Sequence, residues 1–190
     1  PNNYEVQAMK YFFLRLFNWE SQMNSNDYNH NNFVCDKFLS LIEGSSVAVV
    51  SRASFETERG SEIDSFDYVV RTNYRGGDLS PRAKFDGERI DISYYNGHTA
   101  NNILNEDKGI IPSGLKAAVF KEPVEHLFYN GAAFKRHMRL FLDLLTFESS
   151  AYALPNIIAD LLLHKPERIK IFSADALLTN KLPSYYGQAA

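Results

Sequence analysis

The chain has one cysteine in 190 residues, Cys35, so it forms no internal disulfide, which fits a reducing compartment. It holds no apolar run near the ~20 residues that span a bilayer. The greasiest stretches, Tyr11 to Phe17 and Leu161 to Leu163, are interrupted or short. Positive charge is not in excess. Twenty Lys and Arg stand against 23 Asp and Glu, a net charge of −3 with pI about 6.0, which argues against nucleic-acid binding through a broad basic face. There is no Gly-x-Gly-x-x-Gly and no Walker lysine, so neither common nucleotide-loop signature is present. The chain opens on Pro1 rather than Met, and we expect it to be a processed or excised piece of something larger. Hydrophobic residues make up 45%, aromatic residues 14% and charged residues 23%, a composition that excludes wholesale disorder. The length suits one domain with an N-terminal appendage, able to bury roughly 70% of its unfolded surface without staples.

Residues Tyr4 to Trp19 place Val6, Met9, Phe13, Leu16 and Phe17 at helical spacing, with Glu5, Lys10, Arg15 and Glu20 interleaved. This predicts an amphipathic helix that packs on the domain, on a partner chain or on a membrane surface. Its sparse Lys and Arg make the membrane the weaker choice. The polar stretch Asn24 to Asn32 reads as a linker, so residues 1–32 are expected to stand apart from an α/β domain over 33–190. Phe33 to Glu43 predicts a short helix closed by Gly44. Ser46 to Val50 is a continuous β-prone run, as in a strand covered on both faces. Further strands are expected at Asp67 to Thr72, Arg89 to Tyr95, Leu115 to Phe120 and Arg168 to Phe172. Helices are expected at Ala100 to Asn105, Ala132 to Phe147 and Ser150 to His164. Strands alternating with helices predict an α/β fold with a mainly parallel sheet flanked by helices, whose ligands sit beyond the carboxyl ends of the strands.

Four strand ends are informative. Ser51-Arg52-Ala53-Ser54 follows the first strand, with small side chains that expose backbone N–H groups and an arginine suited to phosphate; the same residues also serve as an ordinary polar loop. Arg71 and Asn73 share one face of an extended chain at the end of the second strand, offering donors for phosphate and an amide for a sugar or base edge. With Ile63, Asp64, Asp67 and Val69 they form a pattern, Ile-Asp followed by Asp-x-Val-x-Arg-x-Asn, that resembles the large sialyl motif of sialyltransferases. The loop departs from that family, which has Gly-Asn-Ser or Gly-Asn-Gly where Ser51-Arg52-Ala53-Ser54 stands. Downstream, Phe85 to Gly97, containing Ile90-Asp91-Ile92-Ser93-Tyr94-Tyr95-Asn96, is similar to the family's third strand and its Tyr-Asn loop. Ser149-Ser150-Ala151, a helix, and Arg168 to Asp175 resemble the small sialyl motif, with Ala151 for the usual glycine and Pro155 expected to kink the helix near its start. Independently, Ser149-Ser150 at a helix N-terminus would leave N–H groups and the positive dipole end for an anion, or act as a plain cap.

The resemblance spans Val47 to Asp175. It implies a Rossmann-like domain that uses a CMP-activated acidic sugar, sialic acid or Kdo, as donor and a glycan as acceptor, with no cofactor or metal. Ser51, Arg52, Ala53, Ser54, Arg71, Asn73, Asn96, Ser149 and Ser150 are then the nucleotide-binding candidates. Tyr94, Tyr95, Tyr185 and Tyr186 are the substrate-binding ones, the last two resembling the family's tyrosine-bearing lid. The family's histidine beyond the small motif has no counterpart after His164, which reads as a helix-end residue. His98, after a strand end, is the substitute base, or merely a surface histidine. Asp175 follows the last strand. By analogy with sialyltransferase-like Kdo transferases, which belong to bacterial polysaccharide synthesis, it is the candidate nucleophile; otherwise it caps a turn. A cytoplasmic setting is expected, with the N-terminal helix able to meet a membrane face or a larger enzyme. The competing readings are a catalytically inactive nucleotide- or partner-binding module of the same fold and another Rossmann-like enzyme, the latter without a supporting signature.

Overall fold

A computed structural model describes residues 34–51, 56–121, 127–128, 132–138 and 153–174. The expected N-terminal helix and Asn-rich linker lie outside them. The described elements are α1 (Asp36–Ile42), β1 (Ser46–Val50), α2 (Gly60–Asp64), β2 (Tyr68–Thr72), a 3-10 turn (Ser80–Arg82), α3 (Ala83–Asp86), β3 (Ile92–Tyr95), α4 (Gly97–Glu106), β4 (Ala117–Phe120), β5 (Lys135–His137), α5 (Ala153–Leu163) and β6 (Arg168–Phe172). The six strands form one sheet in the order β5-β4-β3-β2-β1-β6, and every pair is parallel. Helices flank it, so the fold is α/β. Among the described residues no helix is long and apolar enough to cross a membrane.

The strand sequences explain the layering. Successive residues face opposite sides of a sheet, and in β1 both sets are apolar. Val47 and Val49 join Phe38 and Ile42 of α1 and Ile157 and Leu161 of α5 in one cluster. Ala48 and Val50 join Ile63 of α2, Phe66, Val69 and Phe172 in another. A third cluster, on the side of α4, gathers Tyr95, Ala100, Ile103, Leu115 and Phe120. We call the α1/α5 side face A and the α2/α4 side face B. Gly44 follows α1 at φ +72°, the left-handed step that ends a helix, and its N–H donates to the Lys165 carbonyl over 3.0 Å.

One expectation needs correction. Residues 135–137, expected to be helical, form an edge strand. Phe134, Arg136 and Met138 alternate toward face A, but the middle position is a buried arginine, which hides the period of two. The rest of the expected helix, 139–147, lies outside the described residues. Between β1 and β2 lies the short helix α2. Pro155 lies within the described helix α5, and the residues before Ala153, where the expected kink would fall, lie outside the described residues. Gly60 opens α2 for a steric reason: a Cβ there would lie 1.7 Å from the Ala83 carbonyl oxygen.

Candidate functional site

The amino ends of the strands are closed by carboxylates. Asp67 accepts from the Ser46 N–H (2.8 Å) and hydroxyl (2.7 Å), which holds its pKa below the usual carboxylate value. Asp91, 7% exposed, accepts from the Val69 N–H at 2.9 Å and pairs with Arg89 and Lys116, each at 3.0 Å. Asp64, at the end of α2, takes the successive N–H groups of Glu88 and Arg89, both at 3.0 Å. Arg89 completes the seam by donating to the carbonyls of Asp64, Phe66 and Asp67.

Arg71 points to face B and is 8% exposed. Its Nε donates to the Arg89 carbonyl at 3.0 Å, and its Nη2 to the carbonyls of Asp86 (2.6 Å) and Gly87 (2.9 Å). Burial pulls its pKa down, while Asp86 and Asp64 oppose that pull. The guanidinium, expected at a nucleotide, is a clasp that fixes the 86–89 turn against β2.

At the carboxyl ends of β2 and β3 the chain is held by amides and hydroxyls. Asn73 adopts φ +54°, a left-handed conformation that asparagine tolerates better than most residues. Its N–H donates to the Tyr94 carbonyl, and its side-chain oxygen accepts the Asn96 N–H at 2.9 Å. The Asn96 side chain in turn caps α4 by accepting the Thr99 N–H at 2.8 Å. Asn73 and Asn96 are thus brought together. Beside them is a gap of about 20 Å³, the size of one water, walled by Tyr94, Tyr95, Lys121, Met138, Asn156 and Ile157 as well.

Tyr94 and Tyr95, expected to meet a substrate, are 5% and 2% exposed. They point to opposite faces. The Tyr95 hydroxyl donates to the Tyr74 carbonyl at 2.8 Å, and its ring stacks on Phe120. The Tyr94 hydroxyl donates to Asp160 of α5 at 2.7 Å. Arg136 binds the same carboxylate through two nitrogens, at 2.7 and 2.6 Å, and lies over the Phe38 ring. Burial pushes the Asp160 carboxyl up, against the pull of Arg136, and pushes the Tyr94 hydroxyl well above its usual value. Among the described residues the buried Arg136 Nε has no acceptor. His164 ends α5. Its Nδ1 meets the Asp160 carbonyl at 2.6 Å and its Nε2 takes the Cys35 N–H at 3.1 Å, an arrangement that assigns the proton to Nδ1 of a neutral ring. Burial lowers its pKa accordingly. Nothing in the sequence marks this network except the i,i+4 spacing of Asp160 and His164.

The strand order reverses between β1 and β6, the place where open parallel sheets receive ligands. Ser51 is half-buried there, with its N–H on the Phe172 carbonyl at 2.9 Å. Ser173, at φ +53°, donates its hydroxyl to Asp86 at 2.9 Å. A cavity of about 220 Å³ opens beside it, lined by Thr57, Arg59, Ile63, Phe85, Phe172 and Ser173 together with Ile171 and Ala174. Sequence reading missed Thr57 and Arg59, which come from a segment without a motif, and gave no site role to Phe85, which opens the third-strand resemblance.

His98 is exposed on the first turn of α4, its Nε2 3.3 Å from the Asn102 side-chain nitrogen. Arg52, Ala53, Ser54, Ser149, Ser150, Asp175, Tyr185 and Tyr186 lie outside the described residues. No family model matches the chain, and no curated protein matches it.

Proposed function

We propose that this chain is a glycosyltransferase of the sialyltransferase type, with a Rossmann-like domain that moves an acidic sugar from a CMP-activated donor to a glycan acceptor. The observation that carries this reading is the Asn73–Asn96 pairing at the carboxyl ends of neighbouring parallel strands, formed by two residues that the family resemblance names as nucleotide contacts. Transfer needs the leaving CMP phosphate to be stabilised and the acceptor hydroxyl to lose a proton, or an enzymic nucleophile to intervene. In this proposal Ser51, Asn73 and Asn96 bind the nucleotide together with Arg52, Ala53, Ser54, Ser149 and Ser150. His98 is the base and Asp175 the nucleophile.

The test is calorimetry with CMP, CDP, UMP and NAD. The proposal expects CMP to bind, and NAD and UMP to bind far more weakly. Intact-mass measurement after incubation with CMP-sialic acid or CMP-Kdo then looks for a glycosyl adduct, which Asp175→Asn should remove. Equal affinity for all four ligands would defeat the proposal. A second reading, an inactive nucleotide- or partner-binding module, is favoured by one observation: the polar ends of Arg71, Tyr94 and Tyr95 are bonded within the fold. Under it CMP binds and no transfer occurs.

A further inference from the structure

We propose that His164 is a proton-operated catch: when its ring takes a second proton, the start of α1 lets go of the domain and the Cys35 thiol is bared. This concerns the response of the fold to acid, goes beyond the transferase reading and stands whether or not CMP binds.

The geometry admits one protonation state of the closed ring. His164 is 0% exposed. Its Nδ1 lies 2.6 Å from the Asp160 carbonyl oxygen, which can only accept, so Nδ1 carries the proton. Its Nε2 lies 3.1 Å from the Cys35 backbone nitrogen, whose N–H can only donate, so Nε2 offers its lone pair. A proton added at Nε2 sets two N–H groups head to head, and that bond is lost. The new charge finds little answer inside. The Asp160 carboxylate favours a charged ring, but two nitrogens of Arg136 from β5 and the Tyr94 hydroxyl from β3 already hold it, at 2.7, 2.6 and 2.7 Å. Arg136 opposes a second cation beside it. From α1 the ring meets the Phe38 ring edge to face, centroids 4.9 Å apart.

Of the elements around the ring, the start of α1 is the one that yields. α1 has seven residues, about two turns, and its N-cap residue Cys35 makes no side-chain cap bond. The tie from Cys35 to His164 joins it to a residue 129 positions along the chain. The other end of α1 is fixed separately, by the Gly44 N–H on the Lys165 carbonyl at 3.0 Å. On the opposite side of the ring, α5 runs for eleven residues and places Ile157 and Leu161 in the core. A short segment with few ties opens at far lower cost than the whole fold. Water then reaches the imidazolium, and the Cys35 thiol, half-buried while α1 is closed, becomes free to react.

The experiment measures the protection of Cys35 in the full chain. Its rate of reaction with dithiodipyridine is divided by that of the urea-unfolded chain at the same pH, which cancels the titration of the thiol itself. Closed His164 has a pKa below the free value of about 6.5, so the closed state is favoured fully above that value and opening takes up a proton below it. Protection should therefore fall about tenfold from pH 7.5 to pH 5.5. It should change little with urea below the unfolding transition, as a local opening exposes little surface. His164→Gln, which cannot take the proton, should hold protection constant over that range. Hydrogen exchange in the unaltered chain decides without the variant: the Cys35 amide should be less protected than the Val49 amide of β1, and the gap should persist in dilute urea. Protection of Cys35 that is constant with pH, or that follows the Val49 amide in size and urea dependence, would overturn the proposal. So would a pH response retained in folded His164→Gln.

Discussion

The two ends of the same parallel sheet are built from different chemistry. At the amino end three carboxylates, Asp64, Asp67 and Asp91, are saturated by backbone N–H groups, a hydroxyl and cations, and Arg89 ties them into one seam. At the carboxyl end the polar groups are amides and hydroxyls on turns, two of them in left-handed backbone, beside a cavity lined in part by Arg59. The lesson concerns what a motif reports. Of the described residues that carry the large-motif resemblance, Asp64, Asp67 and Arg71 serve the frame, and Asn73 lies at the carboxyl end beside Asn96. A match in such residues speaks first to architecture, and function has to be argued from Asn73 and Asn96.

The contrast breaks most sharply at Gly60. Gly60→Ala forces a Cβ against the Ala83 carbonyl, and the α2–α3 contact has to open. We expect a loss of about 3 kcal/mol in urea denaturation, at the upper end for overpacking. Asp91→Ala comes next. It strands the buried Val69 N–H and releases two half-exposed cations, so about 2 kcal/mol should be lost, mostly through the unsatisfied amide. Asp91→Ala should leave CMP affinity unchanged in the protein that remains folded.

Asn73→Gly sharpens the comparison from the other side. Glycine keeps the positive φ, so stability should fall by only about 1 kcal/mol for the lost bond to Asn96, whereas CMP affinity should fall by about 1–3 kcal/mol, read by calorimetry. An unchanged CMP affinity would remove Asn73 from the site.

The smallest effect is set by pH. His164 is buried and neutral, with its folded pKa below the unfolded value of about 6.5. Its contribution is therefore complete above that value. It is lost as pH falls toward the folded pKa, because the unfolded chain binds the proton more readily. The urea midpoint should drop between about pH 7.5 and pH 5.5, and His164→Gln should flatten that slope.

Much of the frame was legible in the sequence. Ser46–Val50 and Arg168–Phe172 form strands over the expected residues, because runs of β-prone residues with both faces apolar or half-covered leave little choice. The edge strand at 135–137 was not legible, since Arg136 reads as surface until Asp160 supplies its partner from 24 residues away. Arg71 was placed on the correct strand. Its side chain follows face B to carbonyls on a turn whose position no spacing rule gives. Asn73 and Asn96 were visible because both end strands in turn-forming sequence. Arg59, Thr57 and Phe85 meet Ser173 only through the tertiary fold.

The central claim is that the amino end builds and the carboxyl end binds. Backbone amide chemical shifts recorded during a CMP titration of the full chain test it most directly. The account predicts that the shifts move at Ser51, Asn73 and Asn96 while the amides of Ser46, Asp67 and Asp91 stay still. Shifts concentrated at the Asp67–Asp91 seam, or none at any CMP concentration, would contradict it.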